Sequence, residues 1–217
     1  MEAVTMPAQG SAELHQFGWP RGRVGWLVGH VMALKNGAMN RAALDHLDLQ
    51  AGDRVLEIGY GPGKMLEKVA RRLERGFAAG LDHSEVMARQ AARRCRRLIR
   101  QGRVEVRCGG VSEIPYPDES FDKALAVNCF QFWPSPVDDS REVRRVLRPG
   151  GRLVLTIRAA ERPLRFDLAR ASGGLSRVER ARQAMAAAGF EDIAVHRRKA
   201  GRLLAVCLVG RRPGGDA

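Results

Sequence analysis

Cysteine is scarce: the 217 residues hold four, Cys95, Cys108, Cys129 and Cys207, and no two form a CxxC pair. Such spacing excludes a disulfide framework and a zinc site, and it reads as reduced thiols in a cytoplasmic protein with no metal. Long hydrophobic runs are missing too. The longest candidate, Val24 to Leu34, is interrupted by His30, well short of the roughly 18 apolar residues a membrane span needs. The opening MEAVTMPAQGSAEL has no basic cluster leading into an apolar stretch, so no secretory signal is expected. Acidic residues are outnumbered, 24 against 37 Lys and Arg, giving a net charge of +13 carried almost wholly by Arg. An excess of that size is compatible with nucleic acid, an anionic membrane or acidic substrates. It is equally compatible with an Arg-favouring genome and solvated faces, and the Arg-rich helix face of Arg89, Arg93, Arg96, Arg97 and Arg100 reads as solvated.

What is present is enough for a core. With 45% apolar residues evenly spread, disorder is excluded for the bulk of the chain. A chain this long buries roughly 70% or more of its unfolded surface. Residues 1–20 read as a loose arm, and Val24, Leu27, Val28, Val31 and Met32 form a helical stripe over residues 22–35. A second helix is predicted from Met39 to Leu47, ending where Gly52 supplies a turn, so residues 1–48 form an arm with lid helices and 49–217 the main domain. Strands are predicted at 54–59, 77–81, 103–107, 123–128 and 152–157. Between them, Ser84 caps a helix whose buried stripe is Met87, Ala91, Cys95 and Leu98, and a short helix runs from Asp138 to Leu147, stopped by Pro149-Gly150-Gly151. Ser176 and Glu179 make an S-x-x-E capping box for a helix through Met185 that ends at Gly189. Two closing strands, 193–197 and 203–209, read as a hairpin. Alternating strands and helices closed by a hairpin predict an α/β fold, a mainly parallel sheet with an antiparallel edge.

The strongest local signal is VLEIGYGPGKML, residues 55–66: a buried strand, then Gly59, Gly61 and Gly63, then a helix. Glycines there admit close approach of a ligand to the backbone, and the helix start offers free N–H groups. The next strand ends at Asp82, nineteen residues after Gly63, where a carboxylate can accept from both ribose hydroxyls of a nucleoside. Loop and acid together fit a dinucleotide enzyme as well as other nucleoside binders. The spacing is G-x-G-x-G, and Glu57 sits within the strand. An acid there is ill placed beside a pyrophosphate and suits a cationic ligand.

VLEIGYGPG, GLDHSEVM (80–87), CGGVSEIPYPDESFDKALAVN (108–128) and RRVLRPGGRLVL (144–155) follow in order. Together they resemble the class I S-adenosylmethionine-dependent methyltransferases, specifically the small-molecule branch, across residues 40–157. The block VNCFQFWPSPVDDSREVRRVLRPGG after the fourth strand narrows the resemblance within that branch. It implies a Rossmann-like seven-stranded sheet with helices on both faces and an antiparallel last strand. By the same resemblance Glu57, Gly59, Tyr60, Gly61 and Gly63 shape the pocket for the methionine and sulfonium part of the cofactor. Asp82 holds the ribose, His83 lies against adenine, and Gly110 and Val111 approach adenine through backbone. Relatives often carry Asp or Asn where Gly110 stands. Asn128 faces the methyl end of the cofactor.

Methyl transfer from a sulfonium is an in-line displacement governed by orientation and exclusion of water, effects worth about 7–11 kcal/mol of barrier. A general base is required only for an acceptor protonated at neutral pH. Asn128 and His30 are the catalytic candidates, although His30 reads more readily as a polar residue on an open helix face. The resemblance places the acceptor among Trp19, Trp26, His30, Gln131, Trp133 and Arg158. Phe132 and Trp133 read more readily as core aromatics than as substrate wall, and Cys129 as a small buried thiol. The expected activity is methylation of a small hydrophobic or aromatic metabolite by a monomer or homodimer. An RNA methyltransferase is the alternative drawn from the charge, against which no Asn/Asp-Pro-Pro-aromatic motif follows the fourth strand. A lipid head-group methyltransferase touching a membrane surface through FGWPRGRVGWLVGHVM is another.

Overall fold

The computed structural model describes residues 37–160, 176–200 and 203–215; the helix expected over 22–35, with Trp19, Trp26 and His30, lies outside them. Five parallel strands, β1 (Arg54–Ile58), β2 (Phe77–Asp82), β3 (Val104–Cys108), β4 (Phe121–Val127) and β5 (Leu147–Ala160), join a hairpin of β6 (Glu191–Ala200) and β7 (Leu203–Arg211). They make one seven-stranded sheet in the order β3-β2-β1-β4-β5-β7-β6, with β7 antiparallel to both its neighbours. This is the Rossmann-like arrangement expected.

Both faces of the sheet are covered, which is why its central strands read as near-continuous apolar runs. In β1, Val55 packs with α1 (Gly37–Leu47), α2 (Lys64–Arg72), α3 (Glu85–Arg94) and α4 (Arg96–Arg100). Leu56 and Ile58 face the layer of α5 (Pro136–Val146) and α6 (Arg177–Ala187). The stripe behind Ser84 is buried as predicted, although the helix is interrupted at Cys95 and resumes as α4. Ser84 Oγ accepts from the Met87 N–H at 3.4 Å, and Ser176 Oγ from the Glu179 N–H at 3.2 Å. Glu179 itself pairs with Arg182 at 2.7 Å.

Helix α1 is part of the main packing. Its Met39, Ala42, Ala43 and Leu47 are buried, Arg152 donates to the His46 carbonyl at 3.0 Å, Asp45 pairs with Arg198, and the His46 ring stacks on His196 at 4.1 Å. Residues 37–47 therefore form a layer over β5 and β7, within the core of the sheet domain.

Several boundaries differ from the sequence reading. Helix α5 starts at Pro136 and ends at Val146, before the Pro-Gly-Gly, because Leu147 already pairs with Phe121 of β4. Pro149, Gly150 and Gly151 lie inside the longer β5, where the register shifts between the Phe121–Leu147 and Lys123–Arg152 pairs. Strand β4 ends at Val127, and Asn128 turns away with φ +55°.

Candidate cofactor and active site

The order of strands reverses direction at β1: the chain builds outward through β2 and β3, then crosses back to β4 and β5. In a sheet of this kind the crevice for a ligand opens above the carboxyl ends of the strands at that reversal. The loop after β1 (Gly59–Gly63) and the turn after β4 (Asn128–Trp133) both leave from that end.

Asp82 organises the first side. One carboxylate oxygen accepts from the Gly61 N–H at 2.8 Å and the other from the Ser84 N–H at 2.9 Å, while the Asp82 carbonyl accepts from the Gly109 N–H at 3.0 Å. A single residue thus ties together the glycine loop, the start of α3 and the segment Gly109–Val111. A carboxylate has about four acceptor positions, so one on each oxygen remains for a ligand. Burial pushes Asp82 above the ordinary carboxylate range, opposed by those two backbone donors and by His83. His83 Nδ1 is 4.0 Å from Asp82 Oδ1. Gly110 is exposed and open, and Val111 is buried against the α5–α6 layer.

Glu57, in the middle of β1, is 2% exposed, and its Oε2 has no hydrogen-bond partner among the described residues. Burial, reinforced by the charge of Asp82, holds its carboxyl well above the usual range. An unpaired buried acid is costly, and a cationic group brought beside it relieves that cost. The folded-state value lies above 4.5, so the native protein keeps a proton that the unfolded chain has released. Glu57's contribution to stability is therefore fully present below pH 4.5 and lost as pH rises through the folded-state value. Glu57→Gln is expected to stabilise the ligand-free protein by about 1–2 kcal/mol at neutral pH. Urea unfolding of both proteins between about pH 5 and 8 checks this, since the wild type should lose stability relative to the variant as pH rises.

Tyr60 is placed differently from the other loop residues. It is buried, its ring packs over Gly80, and its hydroxyl donates to the Arg107 carbonyl at 3.0 Å. The side chain thus braces β3 against the loop. Nothing in the local sequence distinguished it, because its partner lies forty-seven residues away.

On the second side, the Asn128 N–H donates to the Thr156 carbonyl at 2.7 Å and the Asn128 carbonyl accepts from Gln131 Nε2 at 2.9 Å. Gln131 Oε1 is buried with no hydrogen-bond partner among the described residues. Trp133 is 7% exposed and tilted against Phe130 at 5.2 Å, whereas Phe132 is 43% exposed. Cys129 donates to the Ile58 carbonyl at 3.1 Å, and burial pushes its thiol up to about 12, so it fills space as a neutral group. Arg158 is half-buried two residues beyond Thr156 on β5. Ser112 and Asp139 carry no local sequence signal, yet their 2.7 Å hydrogen bond, with Ile114 N–H donating to Glu142, pins the segment after β3 to α5.

The Methyltransferase domain family matches residues 56–155, a stretch that contains both sides of this crevice. The chain is 29% identical over 190 residues to the uncharacterized methyltransferase YdaC of Bacillus subtilis, covering 86% of this chain and 98% of that one. Residues 56–155 are an S-adenosylmethionine-dependent methyltransferase domain. The methyltransferase is also 37% identical over 109 residues to the 27-O-demethylrifamycin SV methyltransferase of Amycolatopsis mediterranei, covering 50% of this chain and 40% of that one. Its fold matches a SAM dependent methyltransferase from Aquifex aeolicus with a TM-score of 0.69 and 20% identity, covering 86% and 98% of the two chains. The residues present suit the family's cofactor: a buried acid with one orphaned oxygen that a cationic end could pair, two open acceptor positions on Asp82 that hydroxyls could fill, and open space over Gly61.

Proposed function

We propose that this methyltransferase acts on a small hydrophobic or aromatic metabolite, with S-adenosylmethionine held between the loop after β1 and the turn after β4. The observation that carries the cofactor side is the buried, unpartnered Oε2 of Glu57. Glu57 would face the cationic amino-acid end, Asp82 the ribose hydroxyls, and His83, Gly110 and Val111 the adenine. S-adenosylmethionine, when bound, supplies a methyl group already activated by its positively charged sulfur. The task left to the chain is to orient and to exclude water. Asn128 and Gln131 would do the first: Gln131 Oε1 has an acceptor position free for the O–H or N–H of the molecule to be methylated. Trp133 and Arg158, with Trp19, Trp26 and His30 ahead of the described residues, would line the acceptor side. The relative named for 27-O-demethylrifamycin SV supports a small-molecule acceptor. No helix among the described residues is long and apolar enough to cross a membrane.

Calorimetric titration with S-adenosylhomocysteine tests this first, and saturable micromolar binding is expected. A panel of hydrophobic and aromatic hydroxyl and amine compounds, scored by S-adenosylhomocysteine release, then tests the acceptor class. Absence of binding by folded protein would overturn the cofactor assignment. Turnover confined to RNA would overturn the acceptor assignment.

A further inference from the structure

We propose that the groove between α2 and the α3–α4 pair is a second ligand site, separate from the cofactor crevice, for a compact phosphate-bearing anion. The positive charge of this protein is not evenly spread: between Lys64 and Arg107 there are thirteen Lys and Arg against five Asp and Glu. Folding gathers part of that excess around one cavity of about 380 Å³, walled by Arg71 of α2, Arg94 of α3, Arg97 of α4 and Arg103 before β3, with Gln101 and a single acid, Glu67. That volume falls within the range of small-molecule clefts.

Glu67 cannot neutralise the group. One of its oxygens accepts from Arg71 at 2.8 Å and the other lies 3.5 Å from Arg94. Arg103 donates to the carbonyls of Ala70 and Leu73 at the end of α2, neutral partners that leave its charge intact, and its Nε is buried with no hydrogen-bond partner among the described residues. Arg97 makes no ion pair among the described residues. Guanidinium groups converging from different elements repel one another, and an oxyanion between them converts that repulsion into charge-assisted hydrogen bonds. Phosphate oxygens match the planar forks of several arginines at once, which a simple carboxylate does less fully. The groove also touches the rear of the glycine loop, because Arg94 Nε donates to the Pro62 carbonyl at 2.9 Å.

Inorganic pyrophosphate titrated calorimetrically into the full-length protein at constant ionic strength is expected to bind saturably. The double variant Arg71→Gln/Arg97→Gln should weaken that binding about tenfold or more. Arg93 and Arg100 are exposed and stand outside the cavity. Arg93→Gln/Arg100→Gln removes the same charge from α3 and α4 and should change affinity less than about twofold at physiological salt. S-adenosylhomocysteine affinity, measured in parallel, is expected to be unchanged in both double variants, which separates this site from the cofactor assignment. Non-saturating heats, or equal weakening in the two double variants, would overturn the proposal in favour of a diffuse positive face. So would binding of a single-stranded RNA oligomer without binding of pyrophosphate, since contact with a polymer backbone needs no cavity.

Discussion

Asp82→Ala is expected to weaken S-adenosylhomocysteine binding by about a hundredfold or more. Two effects add. The direct one is the loss of the acceptor positions proposed for the ribose hydroxyls; hydrogen bonds to a charged group contribute about 1.5–3 kcal/mol each, and each 1.4 kcal/mol is tenfold in affinity. The indirect one is release of the loop, because the same carboxylate accepts from Gly61 and Ser84. Asp82→Asn separates them. An amide keeps one oxygen as an acceptor and offers an N–H to the other partner, which is itself a donor. An intermediate loss, nearer tenfold, is therefore expected. Calorimetry on the three proteins, with thermal unfolding to confirm the fold, reads both effects. Wild-type affinity in Asp82→Ala would remove this residue from the site.

A second pair of substitutions should divide structural from ligand-facing glycines within one loop. Gly61 and Gly63 both have positive φ, +53° and +77°. A Cβ on Gly63 would stand 2.8 Å from Ala91 Cβ and 2.9 Å from Ala91 Cα, so the α3 backbone would have to move. Overpacking costs about 1–3 kcal/mol and a left-handed alanine about 1–2. Gly63→Ala is accordingly expected to lose about 2–4 kcal/mol, a fall in Tm of roughly 5–15 °C. A Cβ on Gly61 would meet nothing within 4 Å. Gly61→Ala should thus keep its fold, within about 1–2 kcal/mol, yet bind S-adenosylhomocysteine at least about tenfold more weakly, because the methyl enters the space proposed for the ligand. If the two variants lost stability equally and Gly61→Ala kept full affinity, the loop would be a turn and nothing more.

Glu57 and Gln131 show why the site was only partly legible in the sequence. An acid inside VLEI stands out by composition, so Glu57 could be nominated at once. Its unpartnered oxygen depends on what surrounds β1 on both sides, which no local pattern specifies. Gln131 stands out only by its place after the fourth strand, and its free acceptor position arises because its amide donates back to Asn128. Tyr60 reads as a ligand contact from its place in the loop, and only the packing over Gly80 and the bond to Arg107 show its side chain to be a brace.

The elements legible along the chain are those whose causes are local: strand, glycine loop and helix at residues 54–72, the acid at the tip of β2, the serine caps at Ser84 and Ser176, and the closing hairpin. Apolar period, positive-φ glycines and side-chain caps act within a few residues of themselves, so they can be read along the chain. Tertiary structure decided the rest. It placed α1 in the core instead of over the crevice, ended α5 at Val146 because Leu147 found Phe121, and brought Arg71, Arg94, Arg97 and Arg103 around one cavity. Those outcomes depend on partners distant in sequence, where pairing, burial and charge are set only once the sheet has assembled.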